Sequence, residues 1–284
     1  IIANANKYRL LNYGDDHLTV RAIKQYMDGA IGSRGAWLLE PYSDLPSSTG
    51  LPRGDLKDLE AVAAFAIENN FQLAIHAIGD RANREVLNLY QKTFESHAGG
   101  AGNRDSLRWR IEHAQHIDPA DIPRFAQLGV VASMQAIHAT SDAIMVLPRL
   151  GPKRAEEGAY VWKSLLNAGA HVTNGTDTPV EDIDPIANYY ASVTRSIGGG
   201  KTFYPAQRLS RLEALKAYTA ENAYAAFEET SKGVLRVGML GDLTVFSKNI
   251  LTIPDEEIPS AVVDMTVIGG RIAYERPARP SRRP

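Results

Sequence analysis

Short apolar runs of strand length alternate along this chain with longer stretches whose apolar positions recur at helical spacing. That alternation predicts βαβ units built on a parallel sheet. A strand is expected near 19–25, followed by a long segment, 27–54, that carries Gly29, Gly32, Gly35, Gly50 and several prolines. A stretch of that length without periodicity is more than a connector, and it is expected to line or cover a site. Asp55 then opens a helix with Leu56, Leu59, Val62, Ala63 and Phe65 along one stripe, ending near Asn69-Asn70. Strands at 71–76, 108–113, 130–135 and 171–176 follow, separated by helices at 80–94, from Asp118-Pro119 to Gln127, and at 157–168. The Gly-rich stretch 99–103 ends the second helix, and helices at 185–197 and 211–227 follow the last strand. The tail, 233–274, reads as a small β appendage with Gly269-Gly270 as a hairpin turn.

Three of the apolar runs stop on a metal-binding side chain: Leu73-Ala74-Ile75 on His76, 109–112 on His113, and 172–176 on Asp177. One ligand at the C-terminal end of each successive strand is how a (β/α) barrel gathers distant residues at one mouth. Neutral imidazoles and a carboxylate gathered there share a divalent cation, so a hydrolytic metal site is the leading reading. A closed barrel of this type needs eight strands, and the pattern supplies five, near 19, 71, 108, 130 and 171. The deficit is expected upstream of Ile1, because the chain begins Ile1-Ile2-Ala3 without a methionine and runs at once into a strand. On this reading residues 1–232 are a partial barrel, and 233–284 are a tail unit ending in a short basic, Pro-rich stretch.

Composition narrows the partners. With 284 residues, 44% of them hydrophobic and 23% charged, the chain has enough apolar surface for one large core or a core with a small satellite. A net charge of -2 and a pI near 6.4 give no pull toward nucleic acid or acidic membranes, so a small-molecule substrate is expected. The absence of cysteine removes disulfides, thiolate metal sites and cysteine nucleophiles together, leaving His, Asp, Glu or a modified Lys to hold any metal. No apolar run reaches the roughly 18 residues of a membrane span and no signal peptide is visible, so a cytoplasmic location is expected.

Five segments carry a resemblance to a known family: Ile23-Lys24 with Met27-Asp28-Gly29-Ala30-Ile31-Gly32-Ser33-Arg34; Ile75-His76-Ala77-Ile78-Gly79-Asp80-Arg81-Ala82; Arg110-Ile111-Glu112-His113-Ala114-Gln115; Gly175-Thr176-Asp177-Thr178-Pro179-Val180; and Gly238-Met239-Leu240-Gly241-Asp242-Leu243. Together they resemble the amidohydrolase superfamily of metal-dependent hydrolases, in the branch that includes N-substituted formamide deformylases. The resemblance implies an α/β fold, a (β/α)8 TIM barrel of the amidohydrolase type, here incomplete and represented by strands four to eight, with a remnant of a small β-sandwich. It also implies that Lys24, often carbamylated to bridge two metals, joins His76, His113 and Asp177 as metal ligands. The family's first strand carries a His-x-His pair that this chain lacks, and His113 with His116 has the wrong spacing to replace it.

The expected activity is hydrolysis of a C–N bond in an amide, formamide or imide by metal-activated water, with zinc as the expected metal, one or two ions in the complete site. Asp177 doubles as the catalytic proton carrier, and Tyr26, Arg34 and His138 are candidate substrate contacts. Lys24 serves as a ligand only after carbamylation, which needs a buried, partly deprotonated amine. Simpler roles are expected for Asp80, Arg81 and Arg84 as cap and surface charges, for Glu112 as a structural partner, and for Gly198–Gly200 with Lys201 as a connector without phosphate-loop spacing. The alternative activity state is a catalytically incomplete barrel fragment. Open sheet edges then favour self-association, and a homo-oligomer is expected.

Overall fold

The chain enters through a short antiparallel pair, β1 (Leu10–Asn12) and β2 (Leu18–Val20), joined by a single turn, α1 (Tyr13–Asp16). The computed structural model describes residues 2–97 and 106–277. After the pair comes a parallel sheet of β3 (Ala22–Tyr26), β4 (Gln72–Ala77), β5 (Arg110–His113), β6 (Val131–Met134) and β7 (Val172–Asn174), hydrogen-bonded side by side in chain order. Helices make the crossovers: α2 (Leu56–Glu68), α3 (Asp80–His97), α4 (Ile122–Leu128), then α5 (Ala136–Ser141), α6 (Ala143–Gly158) and α7 (Trp162–Asn167) between β6 and β7. After β7 run α8 (Pro185–Thr194), α9 (Arg211–Tyr218) and α10 (Ala220–Ala226).

The five strands in sequence order, each returned by a helix, are the arrangement the alternating pattern predicts. The central strand β4 has five buried residues among its six, as a strand with neighbours on both sides requires. Beneath it, Leu73, Ile75, Trp109 and Ile111 are buried together with Val86, Leu87, Tyr90 and Phe94 of α3. The Trp109 ring meets Tyr90 and Phe94 edge-on, both at 5.0 Å, and its indole N–H donates to Phe71 O at 3.2 Å.

Several boundaries differ from the pattern. The first predicted strand is divided at Arg21 into β2 and β3, which belong to different sheets. The helix expected from Asp118-Pro119 begins at Ile122 with Asp121 at its N-cap, while Asp118 accepts from the Ala120 amide in the preceding turn. Helices α5 and α6, over 136–158, were not legible because Pro148, Gly151 and Pro152 interrupt the periodicity. The helix expected at 157–168 is broken where Tyr160 takes a left-handed φ of 54°, and the one at 211–227 is broken at Thr219.

The tail is a separate antiparallel sheet, β8 (Leu243–Phe246), β9 (Val263–Ile268) and β10 (Arg271–Glu275), in the order β10-β9-β8. Gly269 and Gly270, with φ of 56° and 75°, form the hairpin turn their sequence predicts. The predicted glycine-rich helix end at 99–103 and the last part of the basic tail lie outside the described residues. Among the described residues no helix is long and apolar enough to cross a membrane.

Candidate metal centre

Strand register brings the candidate ligands together. Tyr26 pairs with His76 and His76 with Glu112, so these three side chains share one face of the sheet. Strict alternation sends His113, one residue further, to the opposite face. It does not go there, because His113 and Ala114 adopt left-handed φ values of 74° and 42°. The backbone turn carries the His113 ring to 4.5 Å from that of His76, edge to face at 71°. Such conformations cost about 1–3 kcal/mol each in non-glycine residues and persist where their surroundings over-determine them, often at functional sites.

Hydrogen bonding fixes which imidazole nitrogens are free. His113 Nδ1 lies 2.8 Å from Gln135 Oε1, and the Gln135 amide group is oriented by its own donation to Ser133 O. The oxygen accepts, so Nδ1 carries the proton and the Nε2 lone pair is left for another partner. His76 Nε2 sits 3.5 Å from both Gly29 O and Asp28 Oδ1, two acceptors, so its Nδ1 lone pair is left. Burial lowers the His76 pKa to about 3, with the neighbouring His113 adding to the shift. Burial likewise lowers His113, against the raising influence of Gln135 and Asp177. Both rings are therefore neutral at physiological pH, the form that binds metal.

Asp28 is the residue that sequence reasoning assigned to a motif but to no role. It is fully buried, and its carboxylate accepts from the backbone amides of Trp37 (2.8 Å), Ile78 (3.0 Å) and Gly79 (2.8 Å). Burial pushes its pKa up to about 7 in spite of those donors. One side chain thus joins the end of β3, the loop over 27–54 and the turn after β4 that carries His76. Its only sequence signal is a charged residue between Met27 and Gly29 at the end of an apolar strand. The long loop is pinned elsewhere too: the Leu39 amide donates to Asp80 Oδ1, and Arg154 Nη2 donates to Pro41 O, both at 2.8 Å. Asp80 is therefore a buried pin beside His116 rather than a surface charge. Arg81 and Arg84 do pair as surface charges, with Glu85 and Asp121. Glu112 accepts from Arg110 on its own strand, a structural partner as expected.

The other candidate residues divide. Tyr26 packs its ring 5.2 Å from His76, and Lys24 Nζ stands 4.6 Å over the Tyr26 ring. Lys24 is exposed on the edge strand β3, so the burial that carbamylation requires is not met in this arrangement. Asp177 is exposed, with a left-handed φ of 57°, and reaches His113 through its charge rather than through an ion pair. His138, on α5, is buried with its ring 6.1 Å from His113, and its Nε2 has no hydrogen-bond partner. Arg34, on the long loop, directs its guanidinium to Asp44 through two bonds, at 3.1 and 2.9 Å. Among the described residues no three His, Asp or Glu side chains converge closely enough to enclose a metal ion. What the chain brings together is a pair of neutral imidazoles with a third beside them.

The amidohydrolase family model matches residues 1–274. Protein LONG AFTER FAR-RED 3 of Arabidopsis thaliana is 38% identical over 258 residues, covering 90% of this chain and 43% of the relative. A Bacillus subtilis relative is 34% identical over the same length, with 47% of it covered. A metal-dependent hydrolase of Pyrococcus horikoshii OT3 superposes with a TM-score of 0.75 at 27% identity, over 90% of this chain and 50% of that one. The chain thus spans about half the length of the proteins it matches. The formamide deformylase branch is more distant, with the Arthrobacter pascens enzyme 24% identical over 221 residues. On the extent of the family match and the identity to two relatives, the chain belongs to the amidohydrolase family.

Proposed function

We propose that the strand ends of β4 and β5 form the histidine part of a divalent metal site in an enzyme that hydrolyses C–N bonds of small amides, formamides or imides. The observation that carries this is the His76–His113 pair, two imidazoles held neutral by burial with their rings 4.5 Å apart. The donor chemistry fits: each ring has one nitrogen engaged by an acceptor and one lone pair free, which suits zinc. In the proposed architecture the five parallel strands are strands four to eight of a (β/α)8 barrel, and the three-stranded tail belongs to a small β-sandwich. Lys24 and Asp177 complete the ligand set once the edge strands that carry them are enclosed.

A bound divalent cation supplies two things, polarisation of the scissile carbonyl and a water whose pKa falls toward about 7. The chain's own residues do the rest. Asp177, exposed at the mouth, takes the proton of the attacking water and delivers it to the leaving nitrogen. His138, whose buried Nε2 lacks a hydrogen-bond partner, and Tyr26, whose ring packs beside His76, serve as the substrate contacts. Gln135 and Asp28 hold the two imidazoles in the tautomers described above.

Elemental analysis of the protein expressed with zinc and bicarbonate tests this reading. Wild-type chain retaining metal, and loss of that metal in both His76→Ala and His113→Ala, is the expected result. Metal content unaffected by either substitution overturns the site.

A further inference from the structure

The strained exit of β5 needs something to hold it, and the group that does so lies outside the metal-binding residues. Tyr160 is almost wholly buried and itself adopts a left-handed φ of 54° between α6 and α7. Its amide donates to Gln115 O at 2.7 Å, two residues beyond His113. Its hydroxyl accepts from Gln115 Nε2 and donates to Asp142 Oδ2 at 2.6 Å, while Gln115 Nε2 also reaches Asp142 Oδ2 at 3.2 Å. Asp142 in turn donates its amide to His138 O at 2.9 Å, at the end of α5. Burial, reinforced by the Asp142 carboxylate, holds the phenol well above its ordinary range, so it remains a donor. The Tyr160 carbonyl is engaged as well, by the buried Arg195 guanidinium at 3.0 Å.

We infer that Tyr160 is a positioning residue: through Gln115 and Asp142 it clamps the left-handed turn that aims His113 at His76 and fixes the helix that carries His138. Three chain segments distant in sequence meet at one hydroxyl, and two of them lead directly to imidazoles of the site. Without the clamp, His113 and Ala114 are free to relax toward ordinary strand geometry, which turns the His113 ring away from His76. The bond from Gln115 to Asp142 survives removal of the hydroxyl, so Tyr160→Phe loosens the turn without stripping Asp142 of every partner.

The function assigned to His113 and His138 rests on the proposal above, but the clamp is read without metal or turnover, so the two fail separately. Histidine-labelled chain is compared by ring nitrogen NMR and backbone hydrogen exchange as wild type, Tyr160→Phe and Asp142→Asn. In Tyr160→Phe the His113 ring resonances move, and exchange at the Tyr160 and His116 amides quickens about tenfold, the factor set by loss of roughly one hydrogen bond. The Met27 amide, bonded to His76 O at 2.8 Å on the far side of the site, stays protected. Asp142→Asn retains an acceptor oxygen and keeps the wild-type His113 signals. Uniform acceleration across all these amides, or unchanged His113 resonances in Tyr160→Phe, overturns the inference.

Discussion

The central strands β4 and β5 carry candidate ligands at their C-terminal ends, and the edge strands β3 and β7 carry one within the strand and one just beyond it, yet the four residues are in different physical states. His76 and His113 are enclosed, neutral and held by specific partners, whereas Lys24 and Asp177 are exposed. The residue types do not explain this. A central strand has a neighbour on both sides and a helix beneath it, so its end is walled in; an edge strand has one neighbour. Preorganisation of a side chain at a strand end is therefore a property of the strand's place in the sheet. The candidate site is half built, by two of the three strands that have both neighbours.

The largest effect is expected where the central strands meet their supporting helix. Trp109 is completely buried between Tyr90 and Phe94, so Trp109→Ala removes a large aromatic from a core with little freedom to collapse. A loss of about 3–5 kcal/mol in urea unfolding is expected. A loss under about 1 kcal/mol would mean that β5 is no more anchored than the edges, and the comparison collapses.

Asp28→Ala comes next. It leaves the amides of Trp37, Ile78 and Gly79 without their acceptor, and a donor left buried and unpaired costs about 1–3 kcal/mol. Water entering the vacated space recovers part of that, so about 3 kcal/mol in total is expected, again by urea unfolding. Hydrogen exchange at the Gly79 amide sharpens the test, since protection there is expected to fall further than in the β5–β6 ladder.

These two residues also mark what was legible from sequence. Trp109 lies in an apolar run that ends on His113, and the placement of His76 and His113 at strand ends followed from the apolar runs that stop on them. The five-strand order followed from the alternation of periods. Asp28 was not legible, because its partners lie nine, 50 and 51 residues away and no local spacing encodes them. The exposure of Lys24 was missed for the same kind of reason: a five-residue strand reads alike whether it has one neighbour or two. Apolar spacing runs through Tyr160 as though the helix continued, and only the packed structure reveals the left-handed break there. The pairing of Arg34 with Asp44 was likewise not legible, since the two lie ten residues apart in a loop whose path no periodicity draws.

The electrostatic side of the comparison gives a smaller effect, spread over pH. His76 has a folded pKa of about 3 against an ordinary 6.5, so the unfolded chain takes up a proton that the folded chain refuses. Stability is full above about 6.5 and falls as pH drops toward the folded value, by up to about 1.4 kcal/mol per pH unit from this residue. His113 acts in the same direction. Urea midpoints measured at pH 7 and pH 5 are expected to differ less in His76→Ala than in wild type. Equal differences would remove His76 from the set of residues that burial keeps neutral.

The smallest effect is expected at the edge. Lys24→Ala removes an exposed ammonium that stands over the Tyr26 ring, a contact worth about 0.5–1 kcal/mol at an exposed site and partly offset by the freed side-chain entropy. Unfolding should therefore move by no more than about 0.5 kcal/mol, within the range of ordinary surface substitutions. The same replacement should leave the His76 and His113 ring signals unchanged, because neither imidazole is held by Lys24; their hydrogen-bonding partners are Gly29 and Gln135, with Asp28 beside His76. A large loss of stability, or displaced histidine signals, would show that β3 already shares the enclosure of its central neighbours. The difference between edge and centre would then lie in the side chains themselves and not in the sheet.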